Sequence, residues 1–452
     1  MYRYRKLPAC LLALSLVLSG CGTQMPQDTT DETVEETALV TTAVTTEPTE
    51  ETAAETTVAT EPPIAYDQTP EIRETELFSR MGIKVTANTL TYGDREATLH
   101  FTIESDREDE LFFSPDQGSA HLLAVNGITF PAQPVTYRAG PGETVHARLV
   151  FPYEDLLKLG ITQISEIRFS LEGEEVSTGL MQISTGVPRE NLVTRILKKN
   201  EDLPLEILHL DLQSGYNQGG VRHAATILAR DPEGREHLLL DFENYGGDVV
   251  LMSLGERAVN GLQLRSEENI VTLLPGCHSL LSYDLNKLES ENHLKDLGIE
   301  KLGNFSLSLS LFRQNLLPIR PAQTMKVTLD PAVPDYQYPG EPVLGVENLQ
   351  IFYAGARKAE ETGDLTLLLV CDNRTNAPFF IQASSLSYGD QEIPVESVSL
   401  HMPGNGCGIF AVPISGEAAE GIDIHAGSFT LNTLQKVGSQ RKITELTLQN
   451  QP

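Results

Sequence analysis

Positive charge is scarce along this chain. The 452 residues include 33 lysine and arginine residues against 63 aspartate and glutamate residues, so the formal net charge is -30 at pH 7. Repulsion between like charges disfavours nucleic acids, anionic lipid headgroups and anionic wall polymers as partners. The composition therefore leaves cationic or neutral molecules as the class of partner that the charge permits.

Long apolar runs are absent after the first twenty residues. No later stretch approaches about 18 consecutive apolar residues, the length that a membrane-spanning helix needs. The one apolar segment, Leu7 to Leu18, follows Arg3, Arg5 and Lys6 and is too short to span a bilayer as a mature helix. This pattern predicts an export signal, and residues 1–20 are interpreted as a signal peptide.

A cysteine follows this segment directly, in Leu18-Ser19-Gly20-Cys21. These four residues resemble the lipobox of bacterial lipoproteins. In that family the equivalent cysteine receives a diacylglycerol and becomes the first mature residue, so the resemblance implies a lipidated Cys21. It also implies an extracytoplasmic protein that a lipid anchor holds to the outer face of the cell membrane. The alternative is an ordinary signal peptide followed by a chance cysteine.

Aromatic and basic residues are nearly missing from the segment that follows. From residue 22 to 75 the chain has 13 acidic residues and one basic residue, Arg73, among many Thr, Ala and Pro. Such a segment buries too little apolar surface to offset the entropy of ordering it, and its like charges favour extension. Residues 21–76 are therefore predicted to form a disordered acidic stalk. A solvated spacer is favoured over an O-glycosylated one.

Cysteine is scarce as well, since five occur and three remain if Cys10 is removed and Cys21 is acylated. An odd number of thiols cannot pair completely. One pair, Cys371 with Cys407, is the alternative to free thiols at these positions and at Cys277. No CxxC motif or Cys/His cluster indicates a metal site.

Catalytic motifs are also missing. The sequence has no HExxH or GxSxG motif, and the glycine-rich segment Gly404–Gly408 lacks the Lys-Ser/Thr of a phosphate-binding loop. His100, His209 and Asp211 are interpreted as surface residues. We therefore predict no catalytic residue, no metal ligand and no cofactor, and a protein that is not an enzyme.

Two acidic clusters are ambiguous. Asp106–Glu110 and Asp241–Asp248 both lie near predicted turns, where carboxylates can bind calcium. Neither cluster matches the EF-hand pattern. The prediction is a charged, solvated turn in each case, and calcium binding is the alternative.

Short alternating runs recur from residue 77 to the end. In Ala97–Ile103, the residues Leu99, Phe101 and Ile103 share one face, and Phe305–Leu311 alternates in the same way. Period-two alternation with one polar face predicts antiparallel strands of a sandwich, because buried parallel strands are apolar on both faces. The predicted fold class is therefore all-β.

Turn signals repeat at a fixed spacing. An Asn-Gly or Tyr-Gly pair precedes a Pro-Gly pair three times, and the two glycines are 15 positions apart in each copy. Asn-Gly is a hairpin signal because both residues tolerate positive φ. In the first two copies a short helical turn then ends in Leu-Gly-Ile. The pairs are Asn126-Gly127 with Pro141-Gly142, Asn260-Gly261 with Pro275-Gly276, and Tyr388-Gly389 with Pro403-Gly404.

The repeated order predicts three tandem immunoglobulin-like β-sandwich modules after the stalk. Each is long enough to bury its own core. The second is expected to contain a helix over Arg189–Lys199 and another near Tyr283–Leu297. The predicted boundaries are residues 77–186, 187–331 and 342–452, with a proline-rich linker at 332–341.

As a whole the chain resembles a group of Gram-positive bacterial lipoproteins that combine a lipobox, a low-complexity stalk and immunoglobulin-like modules. The sequence contains no tryptophan, so the Cys…Trp…Cys signature of antibody domains is missing. The resemblance implies an architecture and brings no active site with it.

The expected function is non-enzymatic binding, adhesion or scaffolding at the cell surface, because loops carry recognition in such folds. The partner is then an extracellular protein or glycan. One alternative is an accessory or sensor subunit of an envelope export or wall-assembly complex. Another is a surface hydrolase whose two carboxylates come from different modules.

Overall fold

The computed structural model describes most of the chain after residue 65. The predicted signal peptide, Cys21 and residues 21–65 of the predicted stalk lie outside the described residues. The described ranges are 66–113, 122–130, 135–173, 176–198, 203, 205–264, 269–346, 348–376, 379–389, 391–395, 398–402, 404–423, 428–437, 442–443 and 446–449.

The first section of the chain contains strands β1 to β10, with helix α1 between β8 and β9. These elements are β1 (Thr75–Arg80), β2 (Ile83–Tyr92), β3 (Glu96–Ser105), β4 (Leu111–Phe113), β5 (Leu123–Val125), β6 (Ile128–Thr129), β7 (Tyr137–Ala139), β8 (Thr144–Pro152), α1 (Tyr153–Lys158), β9 (Glu166–Phe169) and β10 (Met181–Ser184).

The second section starts with helix α2 and contains strands β11 to β20, with helix α3 between β18 and β19. These elements are α2 (Leu192–Leu197), β11 (Glu206–Asp211), β12 (Asn217–Gln218), β13 (Val221–Arg230), β14 (Glu236–Asn244), β15 (Val250–Val259), β16 (Leu262–Gln263), β17 (Asn269–Leu273), β18 (His278–Asp284), α3 (Leu285–Glu291), β19 (Asn304–Arg313) and β20 (Pro318–Thr328).

The third section contains strands β21 to β30. They are β21 (Leu344–Val346), β22 (Leu349–Lys358), β23 (Leu365–Asn373), β24 (Phe379–Tyr388), β25 (Gln391–Ile393), β26 (Val398–Met402), β27 (Cys407–Ile414), β28 (Ser428–Val437), β29 (Lys442–Ile443) and β30 (Leu446–Gln449).

Each section pairs its strands in the same order. The first sheet of a section runs β1-β2-β3-β8, β11-β13-β14-β18 or β21-β22-β23-β27. The second sheet runs β10-β9-β5-β6, β20-β19-β15-β16 or β29-β28-β24-β25. Neighbours within these sheets are antiparallel. The predicted all-β sandwich class is therefore confirmed.

One backbone hydrogen bond recurs in all three sections. The amide of the last residue of β3, β14 or β23 donates to the carbonyl of the residue before β8, β18 or β27. The recurring bonds join Ser105 to Glu143 at 3.0 Å, Asn244 to Cys277 at 3.0 Å and Asn373 to Gly406 at 2.8 Å.

The predicted module boundaries remain a prediction, because all described residues belong to one compact unit, Pro62–Pro452.

The alternation of the strands sets the core. Leu99, Phe101 and Ile103 of β3 are at most 1% exposed and pack between the two sheets of the first section. Full burial of such a side chain stabilises the fold by about 1.5 to 3 kcal/mol. The alternating residues of β19 are also fully buried: Phe305, Leu307, Leu309 and Leu311.

Both helices predicted for the second section are shorter in the structure. The side chain of Asn191 accepts a hydrogen bond from the amide of Thr194 at 2.9 Å, so α2 begins after this cap. Helix α3 ends at Glu291, because His293 has a φ of 52°, a left-handed conformation that a right-handed helix does not contain. No helix among the described residues is long and apolar enough to cross a membrane.

The folded part begins before the predicted end of the stalk. Tyr66 stacks on Tyr153 with ring centroids 4.4 Å apart, and β1 already starts at Thr75. The prediction of a stalk is therefore wrong for residues 66–76. Tyr66 and Ile72 pack against the core of the first section, a contribution that the acidic composition of the segment conceals.

The turns after α1 and α3 are equivalent in sequence but differ in their surroundings. Gly160 has a φ of +66°, and a Cβ atom there would lie 2.6 Å from the Cα of Leu192. The amide of Leu192 is itself held by the carbonyl of Leu159 at 2.7 Å. Gly298 has a φ of +78°, and nothing lies within 4 Å of its Cβ position.

We expect Gly160→Ala to destabilise the protein by about 2 kcal/mol more than Gly298→Ala, because only the first substitution overpacks against backbone. Both substitutions carry the left-handed conformational cost of about 1 to 2 kcal/mol. Chemical denaturation of the chain carrying Cys21→Ser, which prevents lipid attachment, measures the two free energies of unfolding. Equal losses would contradict a fixed contact between Gly160 and the start of α2.

Candidate functional site: two joints between sheets

The second sheet of the first section continues into the first sheet of the second section. Ile128 of β6 pairs in parallel with His278 of β18, and the amide of His278 donates to the carbonyl of Gly127 at 2.7 Å. The result is one nine-stranded sheet that contains strands from both sections. We call this contact the first joint.

The second joint repeats this arrangement one section further along the chain. Leu262 and Gln263 of β16 pair in parallel with Cys407 and Gly408 of β27, which makes a second nine-stranded sheet. In both joints the hairpin after an Asn-Gly turn of one section meets the strand after the Pro-Gly position of the next. The structure therefore brings together turn motifs of successive sections.

The Asn-Gly turn of the first joint is held by one buried amide. Asn126 is fully buried, and its φ of 48° is in the left-handed region that asparagine tolerates. Its Oδ1 accepts hydrogen bonds from the amide and hydroxyl of Ser165, at 2.8 and 2.9 Å, and from the amide of Glu166 at 3.2 Å. Its Nδ2 donates to the carbonyls of Gln163 and Glu190 at 2.7 and 2.8 Å.

The carbonyl of Asn126 binds the segment that leads to the second section. The Nε of Arg189 donates to it at 3.0 Å, and the Nδ2 of Asn191 donates to it at 3.0 Å. Arg189 also donates to the carbonyl of Gly276 at 3.4 Å, on the far side of the joint. One turn thus ties together the hairpin, the connecting segment and the next sheet.

Asn260 has the same role at the second joint. Its φ is 49°, and its Oδ1 accepts from the amides of Gly303 and Asn304 at 2.8 and 3.0 Å. Its carbonyl accepts from the amide of Tyr336 at 2.7 Å. The predicted linker at 332–341 is therefore attached to the second section through its own backbone.

The third section has Tyr388 where the first two have asparagine. The Tyr388 hydroxyl donates to the carbonyl of Asp423 at 2.9 Å. This bond ties the turn to the segment between β27 and β28, whose equivalents in the first two sections contain α1 and α3. Strand β25, which follows this turn, pairs with β24, and no described strand continues the sheet beyond it.

The two joints bury different side chains. The first encloses a small cluster of Leu122, Ala124, Leu274 and Cys277, and Arg168 donates to the carbonyl of Pro275 at 3.0 Å beside it. Burial raises the pKa of the Cys277 thiol, which therefore stays protonated.

The second joint is aromatic and continuous with the core of the second section. Tyr338 stacks on Phe352 with centroids 4.4 Å apart and an interplanar angle of 6°. Phe352, Val370 and Ile409 of the third section belong to the same cluster as the buried leucines of the second.

A buried ion pair lies beside the first joint. The carboxylate of Asp241 is fully buried, and its Oδ2 lies 2.9 Å from the Nδ1 of His278. Burial by itself lowers the pKa of His278, but the hydrogen bond and negative charge of Asp241 outweigh it, so the pKa is raised. The residue that pairs with Ile128 thus also binds a buried carboxylate.

The acidic clusters take up no calcium-like arrangement in the described part of the chain. Asp241 faces His278 inside the sheet, and Glu243 pairs with Arg222 at 2.6 Å. In the other cluster Asp109 is paired with Arg107. No group of three His, Cys, Asp or Glu side chains among the described residues is placed to hold a metal ion.

The remaining candidate residues fall at separate places, except that Cys371 and Cys407 lie on the neighbouring strands β23 and β27. Cys371 and Cys407 are free thiols, and burial raises both pKa values, that of Cys407 to about 12. The turn Gly404–Gly408 belongs to the second joint. His100 lies on the polar face of β3, where its Nε2 is 2.9 Å from the hydroxyl of Thr91. Cys21, the predicted lipidation site, lies outside the described residues.

Sequence reasoning missed the pairing between repeats, together with Arg168, Arg189 and His278. The constant spacing of the turns identified equivalent positions, but equivalence does not say that a turn of one repeat touches the next. One available signal was the continuously apolar run Leu367–Cys371, since a strand apolar on both faces indicates cover on both sides.

No family model and no curated protein matches this sequence. Solved structures with a partial likeness include a red sea bream transglutaminase, at 9% identity and a TM-score of 0.15, covering 63% of this chain and 38% of the transglutaminase. A structure from a 1.5-MDa bacterial ice-binding adhesin matches at 10% identity and a TM-score of 0.13, covering 78% of this chain and 88% of that one. Escherichia coli alpha-2-macroglobulin matches at 8% identity and a TM-score of 0.16, covering 81% of this chain and 32% of the macroglobulin. Likenesses this slight carry no conclusion about function.

We expect the stabilisation that His278 gains from Asp241 to be present below about pH 6.5 and to be lost as the pH rises. The pKa of His278 in the folded state lies above its ordinary value of 6.5, so the unfolded chain releases the proton first on raising the pH. The difference in free energy of unfolding between the wild type and His278→Gln should therefore shrink from about pH 6 to pH 9.

The matched background for this measurement is Asp241→Asn, which keeps the shape of the side chain and removes its charge. In the Asp241→Asn background, the loss in free energy of unfolding caused by His278→Gln should no longer shrink between about pH 6 and pH 9. An NMR titration of the His278 ring provides a direct reading. A midpoint below 6.5 in the folded protein would contradict the assignment.

Proposed function

We propose that this protein is a non-enzymatic scaffold lipoprotein, anchored by Cys21 to the outer face of the cell membrane, whose three β-sandwich modules hold a binding surface away from the membrane. The observation that supports the scaffold most directly is the continuity of the sheets across both joints. A parallel pair of strands fixes the direction and register of neighbouring modules as well as their distance.

The joints suit a function in which neighbouring modules must keep a fixed orientation relative to one another. Domains that are connected only by a chain segment move relative to one another by default. Here each connecting segment is bonded to the preceding turn, through Arg189 and Asn191 at the first joint and Tyr336 at the second. Such an array transmits the position of its anchored end to its far end, which is the physical requirement for display.

The acidic surface and the anchor complete the proposal. A net charge of -30 favours neutral or cationic extracellular partners, such as a protein or a glycan, over nucleic acid. Two or more acyl chains hold a protein stably at a membrane, whereas one holds it marginally. Lipid attached at Cys21 would therefore tether the array to the membrane through the predicted stalk.

Anchoring is tested by Cys21→Ser in the native host. We expect the wild-type protein in the membrane fraction, labelled by radioactive palmitate, and the variant unlabelled and released from membranes. Cys10→Ser is the control and should leave label and location unchanged. A labelled, membrane-bound Cys21→Ser protein would contradict the anchor.

Stiffness is tested at the first joint. Spin labels carried by unnatural amino acids at the exposed positions Glu96 and Lys287 report the distance between the first two sections. We expect a narrow distribution for the unmodified protein and a broader one for Asn126→Ala, which leaves several buried polar groups unpaired, each at a cost of about 1 to 3 kcal/mol. Asn315→Ala, in an exposed turn, is the matched control. A distribution that is already broad in the unmodified protein would overturn the proposal of a stiff scaffold.

The partner is sought by proximity labelling in intact cells, with the labelling enzyme fused after residue 452. Recovery of one extracellular protein that disappears with Cys21→Ser supports a tethered binding role. Recovery of several subunits of one envelope machine favours the accessory-subunit alternative.

A further inference from the structure

The second section contains a cleft that the joints do not use. It has a volume of about 420 Å³ and opens beside the edge strand β11, between α3 and the end of β20. This volume lies within the range of small-molecule binding sites, about 300 to 1,000 Å³. The strands that pair at the two joints, β6, β16, β18 and β27, do not line the cleft.

The interior of the cleft is aliphatic. Leu285, Leu294 and Ile299 line it and are each at most 9% exposed, and they continue into the core of the second section. Leu208 and Leu228 line it from the side of β11 and β13. An apolar ligand body that bound there would gain about 25 cal/mol of free energy for each Å² of apolar surface removed from water.

The mouth of the cleft is acidic. Its lining includes the four carboxylates of Glu236, Glu289, Glu300 and Asp330 against one ammonium group, that of Lys301. Glu236 is paired with Arg230 at 2.8 Å, and Glu289 with Lys295 at 2.7 Å.

Glu300 and Asp330 have no ion pair with any described cation. The one side-chain hydrogen bond recorded for Asp330 is from the amide of Ala332, at 2.9 Å. The free negative charge at the mouth therefore resides on these two residues, and a positively charged group placed between them would be attracted to both.

One polar atom of the wall also lacks a partner. The Nε2 of His209 is buried and makes no hydrogen bond in the described structure, although His209 lines the cleft. A buried polar atom without a partner is costly, so a ligand group that formed a hydrogen bond with this nitrogen would bind more tightly for that reason.

We propose that this cleft binds a cationic amphiphile, an organic amine whose apolar body enters between α3 and β11 and whose ammonium group lies between Glu300 and Asp330. An anionic amphiphile of the same shape would meet the same two carboxylates and be repelled. Pairing of a peptide strand with the edge of β11 is disfavoured, because the bulge between Ile207 and His209 interrupts its register.

Isothermal titration of the full chain carrying Cys21→Ser tests this with three probes of one shape: 4-phenylbutylamine, 4-phenylbutanol and 4-phenylbutanoate. We expect the amine to bind about tenfold more tightly than the alcohol, equivalent to about 1.4 kcal/mol, and the carboxylate to bind more weakly than either. Added salt should lower the affinity of the amine and leave the affinity of the alcohol unchanged. An amine that binds no better than the carboxylate would overturn the proposal.

The position of the ammonium group is tested by Glu300→Gln combined with Asp330→Asn. This variant should bind the amine about tenfold more weakly and the alcohol as before. Glu417→Gln combined with Glu420→Gln, two exposed substitutions in the third section, removes the same number of charges. This control variant should change the affinity of neither the amine nor the alcohol. Equal loss of amine binding in both variants would show a general charge effect and contradict the site. Either result leaves the scaffold proposal intact, because that proposal rests on the joints.

Discussion

The buried amide at the start of each Asn-Gly turn is the constraint on which the rest of the assembly depends. A hairpin that must end inside a joint exposes backbone groups to a region without water, and each of these needs a partner. The side chain of Asn126 makes four hydrogen bonds to backbone groups and a fifth to the Ser165 hydroxyl, and the backbone carbonyl of Asn126 remains available to the connecting segment. Asparagine is suited to this position because it also tolerates the left-handed backbone that the turn imposes.

The same constraint explains the difference at Tyr388. A phenol has one donor and reaches one carbonyl, that of Asp423, where the amide of Asn126 binds several groups at once. This bond holds the hairpin to its own section. It does not organise a connecting segment or a following sheet, and no described strand continues the sheet beyond β25. The residue before the glycine thus distinguishes a hairpin that joins two sections from one that ends the sheet.

Most of the architecture follows from local patterns, and the joints do not. Alternation in β3 and β19 identified the buried faces, because each face reports its own surroundings. The spacing of turns identified equivalent positions. A joint of one or two residue pairs adds no periodicity, so Ile128 and His278 could not be matched. The length of α3 failed for a different reason: nothing in the sequence marks His293 as the residue whose left-handed backbone follows the end of the helix.

The outer face of the first sheet differs between the first and third sections, according to what packs against it. In the first section the outer face of β3 carries the polar residues Thr98, His100 and Thr102. In the third, β23 is buried on both faces, because Val370 packs against the second section while Leu369 packs inward. A terminal repeat needs a polar outer face and an internal one does not. The composition of a strand therefore records its neighbours as well as its fold.

The two joints also differ in what separating them would expose. Opening the first would uncover a small aliphatic cluster and the buried charge of Asp241, whose partner His278 belongs to the joint strand. Opening the second would uncover Tyr338 and Phe352 together with part of the core of the second section. The second joint therefore adds aromatic and aliphatic burial to its hydrogen bonds, whereas the first is held mainly by polar bonds around Asn126.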